Sequence, residues 1–412
     1  MDKVFKKDIL KNLNIISEYE WLERNNKGCY SYSTIIGMNT RREHGMFVAP
    51  SYDFAQKIVL LSKFEESIFV DNTLYEISTN QYSHNIFPHG YKYLDEFRLH
   101  PIPTFNFKVE DRLVTKRLFL CSDENILVVR YELKNQGKPV KIIIKPFLTA
   151  RYNNRLTDKI QGMNTDSYLG HNSVRWAPRS DLPQLYTYFN TGEYVTATLW
   201  YHKFYYTHDS LKYAEQVEDL LNPGFFQVTL KPYNHLDLFV STGEIPDFEL
   251  DYESLFRREL ERRQLEPISQ PVELNRIQEL KDTVRQSIIS PTGKNFISIS
   301  TINTQNQLRD ILFSIPGLYF PKKQFKEFKN IFNQIADLLE DGLLPLSFPA
   351  GPFRRCRAGR GPARVSHRSA PGADPPAYAA ALEGQGHRRP LFFQHAHRAD
   401  AAGSLPLHDG IP

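Results

Sequence analysis

Apolar positions in the first 250 residues recur mostly in short β-type runs. Residues 57–62 (KIVLLS) predict a buried strand. Residues 67–70 and 73–77 flank Asp71-Asn72, a pair that predicts a two-residue hairpin turn. Further strands are predicted over 105–109, 113–121, 126–133 and 140–147, then over 194–200 and 225–230. Turn residues separate them, as in Ser122-Asp123-Glu124-Asn125 and Asn135-Gln136-Gly137-Lys138-Pro139. From residue 29 to about 248 the pattern is β throughout. Strands in succession without intervening helices imply an antiparallel sandwich.

The period changes at Asp251. Residues 252–265 (YESLFRRELERRQL) combine helical spacing with many charges, and Pro267 and Pro271 end that run. Over 272–289, Leu274, Ile277, Leu280, Val284 and Ile288 recur by threes and fours. Residues 251–290 therefore read as a helical linker. A short strand is expected over 296–299. An amphipathic helix is expected over 322–341, with Phe325, Phe328, Ile331, Phe332, Ile335, Leu338 and Leu339 on one face and Gly342 as its stop. The organisation is a lead-in (1–19) with some helical character, a β-domain (20–250), the linker (251–290), a helical segment (291–348) and a tail (349–412). The tail contains no Lys, Asn or Thr and is dominated by Arg, Ala, Pro, Gly and His. Neither a strand nor a helix period is sustained there. It reads either as a basic disordered tail or as the product of a frameshift or joined foreign segment.

Composition narrows the function classes. A chain of 412 residues holds two or three domains. Its formal net charge of +4, mixed evenly before the tail, gives no argument for nucleic acid. The sequence has no apolar run long enough for a signal peptide or membrane span. Cys29, Cys121 and Cys356 are too widely spaced to suggest a disulfide framework or a zinc site, and a cytoplasmic location is expected. His84, His89 and His100 lack metal-ligand spacing, so no metal site is assigned. Phosphate loops, nucleophile elbows and dinucleotide fingerprints are missing from the sequence. The aromatic content of 13% admits sugar stacking. Tyr30, Tyr32, Trp176, Trp200, Tyr201, Tyr205 and Tyr206 are the candidates, although strand packing is the commoner role for such residues.

One stretch is more specific than any of these patterns. Glu20-Trp21-Leu22 is followed by Gly28 and by the small and β-branched positions Ser31, Ser33, Thr34, Ile35, Ile36 and Gly37. Asn39-Thr40-Arg41-Arg42-Glu43-His44-Gly45 closes it. In order and spacing this resembles the N-terminal part of the bacterial and archaeal glycogen debranching enzymes of the amylo-α-1,6-glucosidase type. The resemblance implies a large β-sandwich, a helical linker and then an all-helical (α/α) barrel, of which this chain would hold a truncated start. It also implies cofactor-free hydrolysis of α-1,6-linked glucose at branch points of glycogen or related α-glucans.

The same resemblance implies a Trp-Gly-Arg-Asp-Thr sugar-binding motif in the first barrel loop, followed by Pro-Gly-Leu. The matching positions here are Gln307-Leu308-Arg309-Asp310-Ile311 and Pro316-Gly317-Leu318. Arg309 and Asp310 become candidate substrate-binding residues, because a carboxylate accepts from paired hydroxyls and a guanidinium donates to them. Read from spacing alone, they are a helix-start Asp and a surface Arg. Arg41, Arg42 and His44 are candidates for a domain interface or cleft, or else they satisfy polar groups inside the sandwich. Glycoside hydrolysis needs two carboxyl groups flanking the glycosidic oxygen. The family's pair lies beyond the second barrel helix, and Asp374, Glu383, Asp400 and Asp409 stand in no matching context. No catalytic residues are assigned. The alternative function is a non-catalytic α-glucan-binding or interaction module with a decayed barrel. Oligomeric state is not legible.

Overall fold

Two large antiparallel sheets account for most of the β pattern, and three two-stranded ones complete it among the described residues. The computed structural model describes residues 4–52, 56–157, 163–246, 250–263, 288–289, 296–297, 302, 305–320, 323–339, 342–344 and 347–349, all within one unit spanning residues 1–353. The expected linker helix over 272–287 and the tail from residue 350 lie outside the described residues.

One sheet has nine strands. Their spatial order is Val4–Lys6, Leu94–Arg98, Thr104–Val109, Arg112–Leu120, Ile126–Leu133, His235–Ser241, Leu185–Phe189, Ser173–Trp176 and Ser167–Gly170. The second has eight. Glu193–Tyr205, Val217–Leu230, Val140–Tyr152, Lys57–Val70, Gly45–Pro50, Tyr30–Thr34 and Glu20–Arg24 follow in order, and Thr73–Glu76 pairs with Lys57–Val70. The hairpin turn at Asp71-Asn72 is as expected. Both residues have positive φ (44° and 71°), the geometry that matches a tight turn to strand twist. The lead-in carries two short helices, Lys7–Leu10 and Leu13–Ile16, and its strand Val4–Lys6 pairs with Leu94–Arg98.

The main core fills the space between the sheets. Trp21, Phe47, Leu60, Ile142, Ile144 and Phe226 of the eight-stranded sheet meet Phe105, Leu118, Leu127, Val129, Leu238 and Val240 of the nine-stranded one. Sheet pairs bury such alternating inner positions. The eight-stranded sheet is covered on its outer side too, so Lys57–Val70 is buried at 13 of its 14 positions. That coverage explains why residues 58–61 of this strand read as a continuous apolar run.

The helix Tyr252–Arg263 starts where expected. The Asp251 carboxylate accepts from the Ser254 amide (3.1 Å) and the Glu253 amide (3.3 Å), a side-chain cap for the first turn. Tyr252 and Leu255 pack on Phe119, Val128 and Phe239, on the outer face of the nine-stranded sheet. Ile288–Ile289, expected as the end of a helix, instead pairs as a strand with Phe296–Ile297. Two further helices, Leu308–Tyr319 and Phe325–Ala336, pack through Ile311, Ile315, Leu318, Ile331 and Ile335. The second is shorter than the expected 322–341. After Ala336 the amides of Leu338 and Leu339 bond three residues back, to Ile335 and Ala336, and the α-helical ladder stops before Gly342 is reached. Among the described residues no helix is long and apolar enough to cross a membrane.

Candidate functional site

Strands Glu20–Arg24, Tyr30–Thr34 and Gly45–Pro50 bring the two ends of the Glu20 to Gly45 stretch together. Its turns are built by local side-chain bonds. Asn25 Oδ1 accepts from the amides of Lys27 (3.1 Å) and Cys29 (2.8 Å), and Gly28 between them has φ 90°. Thr34 Oγ1 donates to the Met38 carbonyl at 2.7 Å and accepts from the Met38 amide at 3.0 Å. Gly45 has no room for a side chain, because a Cβ would fall 2.6 Å from Val48 Cγ2 and 2.9 Å from Val59 Cγ1.

These turns gather a polar cluster around the Glu20 carboxylate. It accepts from Tyr32 Oη (2.5 Å), Arg41 Nε (2.7 Å) and His44 Nε2 (3.1 Å). Burial alone would raise the Glu20 pKa. The His44 imidazole, the Arg41 guanidinium and the Tyr32 hydroxyl outweigh it and hold the group down at about 2. His44 is fully buried, and its Nδ1 accepts from the Thr40 amide at 3.0 Å. That bond assigns the proton to Nε2, which donates to Glu20. Both ring nitrogens are thus engaged, and no lone pair is left for a reacting group. The Tyr32 ring meets the imidazole edge-on at 4.3 Å between centroids.

Arg42 turns the other way. Its Nε donates to Asp209 Oδ2 at 2.7 Å, and its terminal nitrogens donate to the carbonyls of Glu215 (2.6 Å) and Asn154 (3.3 Å). Its guanidinium stacks 3.5 Å from the Tyr213 ring centroid. Arg151 sits beside it, donating to the Arg42 carbonyl at 2.8 Å and pairing with buried Glu218. Glu218 also accepts from Thr149, Tyr206 and the Thr157 amide. These carboxylates are occupied by structural donors.

Arg309 and Asp310 lie in the first turn of Leu308–Tyr319. Arg309 is exposed and Asp310 is partly buried, and Arg309 Nε sits 3.2 Å from Asp310 Oδ1. Among the described residues neither bonds to Arg41, Arg42 or His44. A link to the stretch comes just upstream, through Ile302. Its side chain packs with Tyr30, Tyr32, Val48 and Val59, and its carbonyl accepts from Asn153 Nδ2 at 2.8 Å. Asp209, Asn153 and Ile302 were not candidates from sequence, because no local pattern marks a partner more than a hundred positions away.

Of the candidate stacking residues, Tyr30, Tyr32, Trp176 and Tyr206 are buried, Trp200 is half-buried against the main core, and Tyr201 packs on Phe147. A cavity of about 20 Å³ between the sheets is lined by Trp21, Asn39, Lys63, Glu66 and Lys116. It has room for roughly one water and not for a sugar ring.

Comparisons with known proteins agree in part with this picture. The family described as glycogen debranching enzyme N terminal matches residues 19–237, just over half of the chain. No curated protein matches. Among solved structures, a human-microbiome protein assigned as a kojibiose phosphorylase aligns at 9% identity with a TM-score of 0.32, over 69% of this chain and 38% of its own. A bacterial glucoamylase complexed with acarbose aligns at 9% identity with a TM-score of 0.37, over 84% of this chain and 55% of its own. The chain thus spans 38% and 55% of those two proteins.

Proposed function

This chain belongs to the glycogen debranching enzyme N-terminal family, and from that premise we propose that it derives from a hydrolase of α-1,6 branch points in glycogen or related α-glucans. The observation that carries the reading is the family match over 19–237, within which the Glu20 to Gly45 stretch is folded and internally bonded. In this reading residues 20–250 are the sandwich and 251–290 the linker. Residues 291–348 begin an (α/α) barrel, and Arg309 and Asp310 contact sugar hydroxyls. The Glu20–Arg41–His44 cluster stiffens the edge of the eight-stranded sheet, where Ile302 anchors the chain leading to Arg309. A cytoplasmic location belongs to the same proposal, supported by the free, buried Cys29 and Cys121.

A second reading is supported by the occupancy of the carboxylates. Glu20, Asp209 and Glu218 each hold an ion pair, and among the described residues Asp310 pairs with its neighbour Arg309. The chain then acts as a non-catalytic α-glucan-binding or interaction module. The purified 412-residue protein, offered a branched limit dextrin and then glycogen in a native gel, separates the two. Released glucose supports the hydrolase. Retardation by glycogen without glucose release supports the binding module, with Arg309→Ala and Asp310→Ala weakening it. Absence of both effects overturns the glucan reading.

A further inference from the structure

The helix Phe325–Ala336 buries Ile331 and Ile335 against Leu308–Tyr319, with Phe328 and Leu338 partly covered in the same cluster. A second apolar edge of this helix is uncovered. Phe325, Phe332 and Leu339 are 60%, 49% and 54% exposed. Phe325 and Phe332, seven residues apart, lie on one stripe along the helix, and Leu339 prolongs it in the turn beyond Ala336. Exposed Ala336 lies on the same side, and the half-exposed Phe320 ring extends the stripe, 6.1 Å from Phe325. An apolar stripe of this kind fits a helix in a groove between neighbours.

Charge along the stripe decides which helix. Lys326 and Lys329 are exposed along its first half, where Glu327 is half-buried. Asp337 is exposed at the far end. A stripe that is cationic at its start and anionic at its end complements itself only head to tail. Antiparallel pairing about Phe332 sets Phe325 against Leu339 of a second copy and Lys326 beside its Asp337. Parallel pairing would set like charges together. We propose that residues 325–339 form a two-fold antiparallel interface between two copies of this chain.

Analytical ultracentrifugation of the 412-residue protein tests this at micromolar concentration, in low and high salt. A reversible dimer is expected. Phe332→Asp should yield a monomer with unchanged circular dichroism, because the ring is exposed. Lys326→Glu with Lys329→Glu should weaken dimerisation about tenfold at low salt and less at high salt. Disulfide trapping fixes the direction. In a Cys356→Ser background, Asn333→Cys lies beside the two-fold axis and should cross-link to itself, whereas Lys326→Cys should not. The native Cys29 and Cys121 are buried and will not interfere. A monomer at every concentration, a dimer indifferent to Phe332→Asp, or open-ended aggregates would each overturn the proposal. So would equal cross-linking at both positions, which indicates a parallel pair. If Phe332→Asp does not fold, the cysteine pair decides.

Discussion

Arg42 Nε lies 2.7 Å from Asp209 Oδ2 across 167 positions of sequence, and both side chains are buried. The pair ties the Asn39 to Gly45 segment to the turn Thr207–Leu211 beyond the edge strand Glu193–Tyr205. Removing one partner leaves the other charge in a dry site. Asp209→Ala should therefore destabilise the sandwich by about 3–5 kcal/mol, read from urea unfolding. Arg42→Lys should recover little, because an ammonium cannot serve Asp209 and two carbonyls together while stacking on Tyr213. A loss under about 1 kcal/mol would mean that water reaches the pair.

The Glu20 carboxylate supplies a pH dependence whose sign follows from its environment. Its pKa in the folded protein is about 2, against an ordinary 4.5. A depressed carboxylate stabilises the fold at pH values above its ordinary pKa. That contribution fades as pH falls toward 2. Glu20→Gln should cost roughly 3 kcal/mol at neutral pH, and the gap from wild type should close between about pH 5 and 2. Unfolding curves across that range check it. A constant gap would assign the loss to packing or hydrogen bonds rather than charge.

The hairpin at Asp71-Asn72 was legible because turn chemistry is local: two residues set both dihedral angles. The strand His235–Ser241 was not singled out, although it lies between Ile126–Leu133 and Leu185–Phe189 near the middle of its sheet. Its inner face meets the main core and Phe239 meets Tyr252 and Leu255 on the other side. With both faces covered, HLDLFVS shows no clean alternation. The polar cluster was half legible. Arg41, Arg42 and His44 stand in one motif, but their partners divide. Glu20 lies at the start of the same stretch, while Asp209 is visible only in the fold. The resemblance to a known family identified the sandwich, and spacing alone did not supply roles for the two arginines.

Gly45 tests whether the motif's glycine is a matter of space. A Cβ there would overlap two β-branched side chains, Val48 and Val59, whose stiff χ1 limits evasion. Gly45→Ala should lower stability by about 1–3 kcal/mol, seen as a reduced melting temperature. Adding Val59→Ala should return part of the loss, since it removes one of the two overlapping methyl groups. If the double variant is less stable than the sum of the single ones, space is not the reason for glycine.

Ile302 joins the sandwich to the chain that precedes Arg309. Its side chain is nearly enclosed by Tyr30, Tyr32, Val48 and Val59, and its carbonyl is held by Asn153. Among the described residues the helix pair Leu308–Tyr319 and Phe325–Ala336 has a small cluster of its own, to which this attachment adds. Ile302→Ala removes most of the buried side chain, and Asn153→Leu removes the donor to its carbonyl. Each should speed amide exchange in Leu308–Tyr319 by about tenfold or more while leaving Lys57–Val70 protected, because loss of 1.4 kcal/mol locally corresponds to a factor of ten. Hydrogen exchange read by mass spectrometry resolves the two regions. Equal acceleration in both would show that Ile302 supports the whole sandwich, and no acceleration in either would show that the helix pair is held by other contacts.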